Sequence, residues 1–288
     1  MKRWNNIQIR ISILSMLLLL SAGISYAQEE EEEDRPVRSP WTTGVLIDNQ
    51  TTLTQTAKSF EFRIHHRFGA IKEMSDLFGI YAASNIRLGV NYGITDKLMI
   101  GFGTEKYNKM QEFCVKYNIF PQTRSGKMPV ALTYFANAVI DARSEELFGK
   151  DYSFSKRMSY FHQLMIARKF SKKISLQTAV SYSHFNAVDS TWQNDYVGIF
   201  IGGRFNVYNK MSIIFEYTQP FSVKEVEDYQ NEPKPNLGLG LEFGTSTHAF
   251  QVFAAQYDNI IAQKNLAYNL NDMGDGGWRF GFNITARF

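Results

Sequence analysis

The stretch that decides the fold is the C-terminal sequence WRFGFNITARF, residues 278–288, in which apolar residues alternate strictly with polar residues or glycine. Alternation with a period of two gives a β-strand one apolar and one polar face, because successive side chains point to opposite sides. About ten residues of tilted strand cross the hydrocarbon core of a bilayer. The stretch ends on an aromatic residue, Phe288. It therefore predicts the closing strand of an outer-membrane β-barrel.

The same alternation recurs upstream of the closing strand. Residues 60–68 and 86–93 alternate, and the short turn at 95–97 joins the second of them to residues 98–104 in a hairpin. Further strands are predicted at 113–120, 130–140, 160–170, 174–184, 196–207, 211–217, 237–243 and 249–257. The total is twelve strands. Weak alternation leaves the facing of 130–140 and 160–170 open, because a shift of one residue exchanges the two faces.

Short and long connections alternate along this series of strands. The short ones fall at 95–97, 171–173, 208–210 and 244–247, and the long ones at 69–85, 141–159, 185–195, 218–236 and 258–277. An even number of strands with short periplasmic turns and longer extracellular loops is typical of bacterial outer-membrane barrels. We therefore predict an all-β fold, a transmembrane antiparallel up-and-down β-barrel of about 12 strands over residues 59–288.

The N-terminus predicts export. Lys2 and Arg3 precede an apolar run at 11–24, and a small-x-small cleavage site follows at 25–27. Residues 1–27 are therefore predicted to be a cleaved signal peptide, which agrees with a location in the cell outer membrane. Residues 28–58 begin with an acidic run and continue irregularly. They predict either a periplasmic lead-in or a segment tucked into the barrel mouth.

Charge and cysteine content exclude several kinds of site. Three of the 31 Lys and Arg residues lie in the signal peptide, whereas none of the 28 Asp and Glu residues does, so the mature chain is close to neutral. The single cysteine, Cys114, excludes an internal disulfide and a cysteine-ligated zinc cluster. His65 and His66 point to opposite faces of one strand and cannot chelate one ion together. We predict no metal, no cofactor and no nucleic-acid partner.

Alternation alone does not separate a membrane barrel from a soluble lipocalin-like barrel, whose apolar face points inward. Three features favour the membrane. The polar face carries many glycines, which make room in a crowded lumen. Aromatic residues gather at strand ends, as in interfacial girdles. Twelve strands also exceed the number that small soluble barrels fill with side chains.

Three pieces of the chain carry a resemblance to a known family. They are FRIHHRFG at 62–69, NIRLGVNYGITDKL at 85–98 and EYTQP at 216–220. Together they resemble an uncharacterised β-barrel family of Bacteroidota that has a domain-of-unknown-function label. The resemblance covers residues 59–288 and implies an outer-membrane location and no established activity. It therefore assigns no catalytic or binding residue.

If the apolar faces contact lipid, the opposite faces line the lumen, where basic groups outnumber acidic ones. The predicted lining residues are Glu61, Arg63, His65, Arg67, Arg87, Lys116, Arg204, Glu216, Glu242, Arg279 and Arg287. Clustered guanidinium groups in a narrow passage favour anions. Alternatively, the glutamates pair with the arginines and brace a closed interior. Because the last strand pairs with the first, Arg279 is expected near Arg67 and Arg287 near Arg63.

These observations leave three functional hypotheses. The first is a narrow channel for small polar or anionic solutes through an arginine-rich lumen. The second is a non-conducting structural or adaptor barrel that binds a partner through its long outer loops. The third is an outer-membrane hydrolase with an outward histidine, His66 or His162, but no adjacent serine constellation is evident, so we predict that the protein is not an enzyme.

The last residue suggests an assembly partner. Phe288 is similar to the C-terminal aromatic signal that is read by the barrel-assembly machinery. The expected partners of the chain are therefore outer-membrane lipid and, during insertion, that machinery.

Overall fold

The computed structural model describes residues 34–38, 40–70, 77, 79–223, 231–272, 274 and 277–288. The predicted signal peptide lies outside these residues. No helix in the described part of the chain is long and apolar enough to cross a membrane.

Twelve antiparallel strands form one closed barrel, in which each strand pairs with its sequence neighbours and the last pairs with the first. The barrel strands are β3 (Phe60–Ala70), β4 (Asn85–Gly93), β5 (Leu98–Glu105), β6 (Met110–Phe120), β7 (Ala131–Asp141), β8 (Met158–Lys169), β9 (Ile174–Phe185), β10 (Asp195–Tyr208), β11 (Met211–Ser222), β12 (Asn236–Gly244), β13 (His248–Ala255) and β14 (Arg279–Arg287). The predicted all-β, twelve-stranded antiparallel barrel is confirmed.

Two strands differ from the predicted bounds by more than two residues. Strand β6 begins at Met110 instead of 113, and β11 extends to Ser222 instead of 217. The second extension passes through Pro220, which lacks a backbone donor. Strand β11 pairs with β12 only as far as Thr218, so Pro220 lies where one side of β11 has no strand partner. Proline is tolerated at such an edge.

The apolar residues of the wall point outward. On β3, Phe62 is 50% exposed, whereas the next side chain, Arg63, is only 4% exposed. A soluble barrel would show the opposite arrangement, because its apolar face fills the interior. The wall therefore has the inside-out polarity of a membrane barrel.

The facing of β7 and β8, which the sequence leaves open, is settled by burial. Tyr134 points outward, whereas Phe135, Phe161 and Met165 are buried inside the barrel. These inward apolar side chains belong to a core cluster that also contains Trp41. Alternation is weak on β7 and β8 because their inner faces mix these apolar side chains with polar ones such as Thr133 and Gln163.

A hairpin from the N-terminal segment fills the lumen. Residues 41–55, here called the hairpin plug, contain the two short strands β1 (Val45–Leu46) and β2 (Asn49–Gln50), with Ile47 in the left-handed region (φ 51°) at the tip. The plug enters and leaves at the barrel end that carries the short turns. Before it, Lys169 Nζ donates to Arg38 O at 3.2 Å, and near its last residue, Thr54 Oγ1 donates to Asp96 O at 2.9 Å. Within the range 28–58, residues 41–55 lie inside the barrel, and the assignment of the whole range stays a prediction.

A second insert enters from the end that carries the long loops. Residues 256–272, here called the outer insert, contain the helix α1 (Ala262–Ala267), whose Leu266 is buried in the same core cluster as the plug. Among the described residues, three 3₁₀ helices also lie at this end of the barrel: Tyr107–Lys109, Glu145–Phe148 and Phe154–Arg157. The described chain therefore closes the barrel from both ends.

Glycines on the inner wall make room for both inserts. A Cβ on Gly202 would lie 2.7 Å from Leu46 of the plug, and one on Gly238 would lie 3.1 Å from Ile47. A Cβ on Gly198 would lie 2.5 Å from Leu266 of α1. Contacts this short cannot form without displacing one partner. The inward glycines thus allow plug and helix to approach the wall.

Candidate functional site in the lumen

The short-turn end of the lumen is organised around one buried carboxylate. Glu61 is fully buried and accepts a hydrogen bond from Arg63 Nε through Oε1. Its second oxygen, Oε2, accepts one from Arg287 Nε at 3.1 Å, and Arg287 also donates to Thr42 O of the plug. The expected proximity of Arg287 and Arg63 arises because both guanidinium groups bind Glu61. One carboxylate thus faces two cations.

A buried ammonium group holds both arms of the plug. Lys116 Nζ donates to Gly44 O at 3.0 Å on one arm, and to Thr51 O at 3.0 Å and Leu53 O at 3.3 Å on the other. The side chain is fully buried and lies 5.9 Å from the ring centroid of Phe135. Because an ammonium group has three donors, all three can be satisfied by the plug backbone.

The tip of the plug is bound by groups of both signs. Arg67 Nη2 donates to Asp48 Oδ1 at 2.6 Å and to Ile47 O at 3.1 Å. On the opposite wall, the Glu216 carboxylate accepts the backbone N–H groups of Asp48 and Asn49, both at 3.2 Å. The bracing hypothesis expects Glu216 to pair with an arginine. Glu216 instead binds the backbone of the plug.

A third carboxylate joins the wall to the first arm of the plug. Glu242 Oε1 accepts from Arg204 Nε at 2.7 Å, and Oε2 accepts from Gln251 Nε2 at 3.0 Å. Gln251 Nε2 also donates to Val45 O of the plug at 3.1 Å. This ion pair belongs to the barrel wall and contacts the plug through the Gln251 amide and through the Thr43 hydroxyl, which donates to Glu242 Oε2 at 3.4 Å.

Above the plug, towards the long-loop end, the ion pairs lie within the barrel wall. Arg87 Nε donates to Glu112 Oε2 at 2.8 Å, and the other oxygen accepts from Asn137 Nδ2 at 2.6 Å. His65 lies on the adjacent strand, opposite Arg87, and is 5% exposed. This part of the lumen is filled by the wall itself.

The strand pair that closes the barrel, β14 with β3, is here called the seam, and its outer end differs from the sequence prediction. Arg279 was expected beside Arg67, but its register partner on β3 is Ala70, and Gly281 lies opposite Arg67. An irregularity in the pairing between Arg279 and Gly281 shifts the register. Arg279 Nε instead lies 3.3 Å from Asp258 Oδ2 of the outer insert. The arginines of the seam are therefore spread over different depths.

Together these contacts describe an occupied lumen. The eleven predicted lining side chains all point to the inside of the barrel, where most of them bind other wall residues, the plug or the outer insert. Among the described residues, three of their nitrogen atoms have no hydrogen-bond partner: Arg63 Nη2, His65 Nδ1 and Arg279 Nε. Between the plug tip and α1 remains a space of about 10 Å³, lined by Asp48 and Leu266 among others. A space of this size holds one water molecule at most.

Sequence reasoning did not find several of the residues that close the lumen. Asp48 and Trp41 lie in the segment without alternation, and Glu112 lies before the predicted start of its strand. The acidic partners of Arg67 and Arg87 were therefore missed. The available signal was the excess of inward arginines over inward glutamates, because buried charges require partners.

The outward histidines, His66 and His162, contact aromatic side chains. His66 stacks on Phe282 with ring centroids 5.0 Å apart, and His162 Nδ1 lies 2.6 Å from the hydroxyl of Tyr134. Among the described residues, no serine hydroxyl is hydrogen-bonded to either imidazole. The same residues contain no group of three His, Cys, Asp or Glu side chains that could hold a metal ion.

Comparison with known families identifies the class of protein. Residues 42–288 match the family described as "Membrane bound beta barrel domain (DUF5777)", and the chain belongs to that family. The match begins within the plug, so the plug is part of the family domain. A comparison with curated proteins found no significant match.

Solved structures show the same architecture. The NanC porin is similar with a TM-score of 0.51 and 10% identity, over 80% of this chain and 98% of that chain. The KdgM porin has a TM-score of 0.47 and 8% identity, over 80% of this chain and 99% of that one. An outer-membrane channel from Pseudomonas putida F1 has a TM-score of 0.49 and 10% identity, over 82% and 97%. The protein is thus an outer-membrane, porin-like β-barrel, whereas the phylum implied by the sequence resemblance stays a prediction.

Proposed function

We propose that the protein is a porin-like barrel held closed by its own N-terminal hairpin, and that it passes small polar or anionic solutes when the hairpin leaves the lumen. The observation that carries this proposal is the single lysine, Lys116, which binds both arms of the hairpin through backbone carbonyls. These hydrogen bonds hold the plug in place, and none of them is a covalent bond to the wall. The barrel can therefore exchange between a closed state, with the plug in the lumen, and an open state without it.

The charges that the plug covers support a preference for anions. Withdrawal of the plug would remove the partners of Lys116 and Arg67, and also those of Glu216. The other ion pairs, Arg87 with Glu112 and Arg204 with Glu242, would stay within the wall. The uncovered surface therefore gains two cations and one anion. A net positive constriction favours small anions such as carboxylates or phosphates.

A disulfide lock tests the role of the plug. A Cβ built on Gly238 lies 3.1 Å from Cδ1 and 3.2 Å from Cγ2 of Ile47, so the two positions are in direct contact and are chosen for the bridge. We would introduce Ile47→Cys and Gly238→Cys in a Cys114→Ser background and record single channels in planar bilayers. We expect no openings in the oxidised protein and anion-selective openings after reduction. The Ile47→Cys variant in the same background is the matched control and should be insensitive to oxidation.

A second variant tests the barrel without its plug. Residues 43–53 are replaced by a short Gly-Ser linker, and folding is checked by the shifted migration of the unheated protein on a gel. We expect steady conductance with chloride preferred over potassium. A folded barrel that lacks the plug and still conducts no ions would overturn the channel proposal. It would favour the alternative, a non-conducting adaptor barrel.

The adaptor alternative has one structural observation in its favour. The outer insert is bound to the barrel wall at the long-loop end. Asp258 binds Arg279, and the N–H of Ile260 donates to Glu105 at 3.2 Å. A mouth that is folded in this way presents an ordered surface to a partner outside the cell. Pull-down from solubilised outer membranes would recover a stable partner in that case.

We also propose that the barrel is not an enzyme and that its last residue serves in assembly. Among the described residues, neither His66 nor His162 has a serine hydroxyl beside it, and the hydroxyl that contacts His162 belongs to Tyr134. Phe288 is 73% exposed, and its backbone exchanges two hydrogen bonds of 2.9 Å with Phe60. An exposed aromatic at the seam is available to the assembly machinery. Replacing Phe288→Ala should slow insertion into the membrane, measured as the folded fraction in outer-membrane extracts.

A further inference from the structure

The long-loop end of the barrel contains a cleft of about 600 Å³, here called the outer cleft. Its walls come from the connection after β7, the connection after β9 and the outer insert. Among its lining residues are Arg143, Arg157, Trp192, Lys264 and Tyr268. A volume of this size is within the usual range for small-molecule sites. The cleft is separate from the plugged part of the lumen.

The cleft contains cations that no carboxylate neutralises directly. Arg157 donates through Nε to the Tyr152 hydroxyl at 2.7 Å and through Nη1 to Asp141 O at 2.7 Å, so it binds neutral acceptors only. The Asp141 carboxylate is already bound by Arg143, with Nη2 and Oδ2 2.7 Å apart. Arg157 is therefore held rigidly while its charge stays available.

Lys264 on α1 adds a second available cation. Its ammonium group lies 5.4 Å from the ring centroid of Tyr268 and has no hydrogen-bond partner among the described residues. Burial lowers the pKa of Lys264, with Arg143 acting in the same direction and Asp141 against it. Because Lys264 is only half-buried, its ammonium group stays accessible from the cleft, where an anion can form a charge-assisted hydrogen bond with it.

Aromatic rings give the cleft a flat apolar side. Trp192 stacks on Tyr268 with centroids 4.2 Å apart and an interplanar angle of 22°. Phe185 packs edge-on against the same tyrosine at 5.3 Å. Such a packed set loses little conformational freedom when a ligand binds to it. The outer cleft thus combines fixed positive charge with a rigid ring surface.

We propose that the outer cleft binds a small molecule that carries an anionic group on a six-membered ring, with Lys264 and Arg157 facing the anion and Trp192 with Tyr268 facing the ring. The ring can belong to a sugar acid or to an aromatic acid, and both share this chemistry. The inference does not depend on whether the barrel conducts, because the cleft opens to the outside and its binding is measured without a membrane potential.

The test is calorimetric titration of the full-length mature barrel in detergent micelles. The probes are D-glucuronate, benzoate, neutral D-glucose and inorganic phosphate. We expect saturable binding of glucuronate or benzoate, and binding of glucose and phosphate at least about 10-fold weaker, because each lacks one of the two recognised features. Which acid binds more tightly distinguishes the sugar source from the aromatic source. Equal binding of phosphate, or no binding of either ring acid, would overturn the proposal.

Variants locate the binding in the cleft. Lys264→Met should weaken binding of the preferred acid by about 10-fold or more, since a charged hydrogen bond is lost. Lys150→Met removes an exposed lysine of the neighbouring connection and is the matched control, with no change expected. Trp192→Leu removes the stacked ring without changing charge and should also weaken binding. Unchanged affinity in both Lys264→Met and Trp192→Leu, with unchanged gel migration, would place the binding elsewhere and refute the assignment.

Discussion

The hairpin plug and the outer insert close the barrel from opposite ends, but the barrel holds the plug and the helix α1 of the outer insert by different contacts. Lys116, Glu216 and Asn283 bind the backbone of the plug from three parts of the wall, and two of them are charged. On α1, by contrast, Asn265 Oδ1 accepts from Asn236 Nδ2 at 3.1 Å, and Gln263 Nε2 lies 3.4 Å from Ser159 Oγ. Charge-assisted hydrogen bonds are roughly twice as strong as neutral ones.

This difference means that the plug is held in one position, whereas α1 can shift its position. Bonds to the backbone fix the path of the plug, whereas α1 is fixed mainly by amides and by the apolar packing of Leu266. The plug should therefore leave the lumen only in a rare event, while α1 can adjust with less loss of free energy. Closure of the lumen needs a plug that is fixed in position. Binding at the outer cleft needs a helix α1 that can adjust.

The largest effect is expected from removing the lysine that holds both arms of the plug. Lys116→Met leaves three buried carbonyls without their donor, which should destabilise the plugged state by about 2 kcal/mol, or about 30-fold in population. Planar-bilayer recording should show a matching increase in open time. Lys97→Met, an exposed lysine of a short turn, is the control. Open times as short as those of the wild type, in a folded variant, would show that Lys116 does not hold the plug.

A smaller effect is expected at the plug tip. In Glu216→Gln the side chain keeps one acceptor oxygen but loses its charge, so the bonds from the N–H groups of Asp48 and Asn49 should weaken by about 1 kcal/mol. Hydrogen exchange of these two amides should accelerate about fivefold. Glu145→Gln, which changes an exposed glutamate, should leave their exchange unchanged. No acceleration in Glu216→Gln would mean that the tip is held by packing alone.

The smallest effect is expected in the outer insert. Asn265→Ala removes neutral amide bonds to Asn236 and to Asn259 O, and should accelerate exchange of the α1 amides about threefold, for a loss near ~0.6 kcal/mol. The amides of Asp48 and Asn49 should exchange at the wild-type rate. If they accelerate together with α1, the two inserts form one cooperative unit and the contrast between them is lost.

Much of the wall could be read from the sequence because a strand in contact with lipid must alternate. Phe62 next to Arg63 on β3 shows the pattern in full, and the alternation of short and long connections gave the strand number. The predictions fail where contact with lipid is not what determines the strand. Strand β7 alternates poorly because Phe135 packs inward on apolar neighbours, and β11 continues through Pro220 because no strand pairs on that side.

The candidate site was predictable only in part. The inward arginines could be named from the alternation, but their partners could not, because Asp48 lies far from Arg67 in sequence, in a segment with no periodic signal. The outer cleft could not be anticipated either, since Arg157, Trp192 and Lys264 come from three separate connections. Residues in irregular segments meet only after the barrel has closed.

The sequence by itself determined most of the wall: strand number, order and, for every strand except β7 and β8, the face that is turned to lipid. These features are local, because the period of side-chain direction along a strand is fixed by backbone geometry. Only the tertiary structure decided that the lumen is occupied, that Lys116 binds the plug and that the seam shifts at Arg279. Those outcomes depend on which distant backbone groups come within hydrogen-bonding distance, and no periodic pattern encodes that.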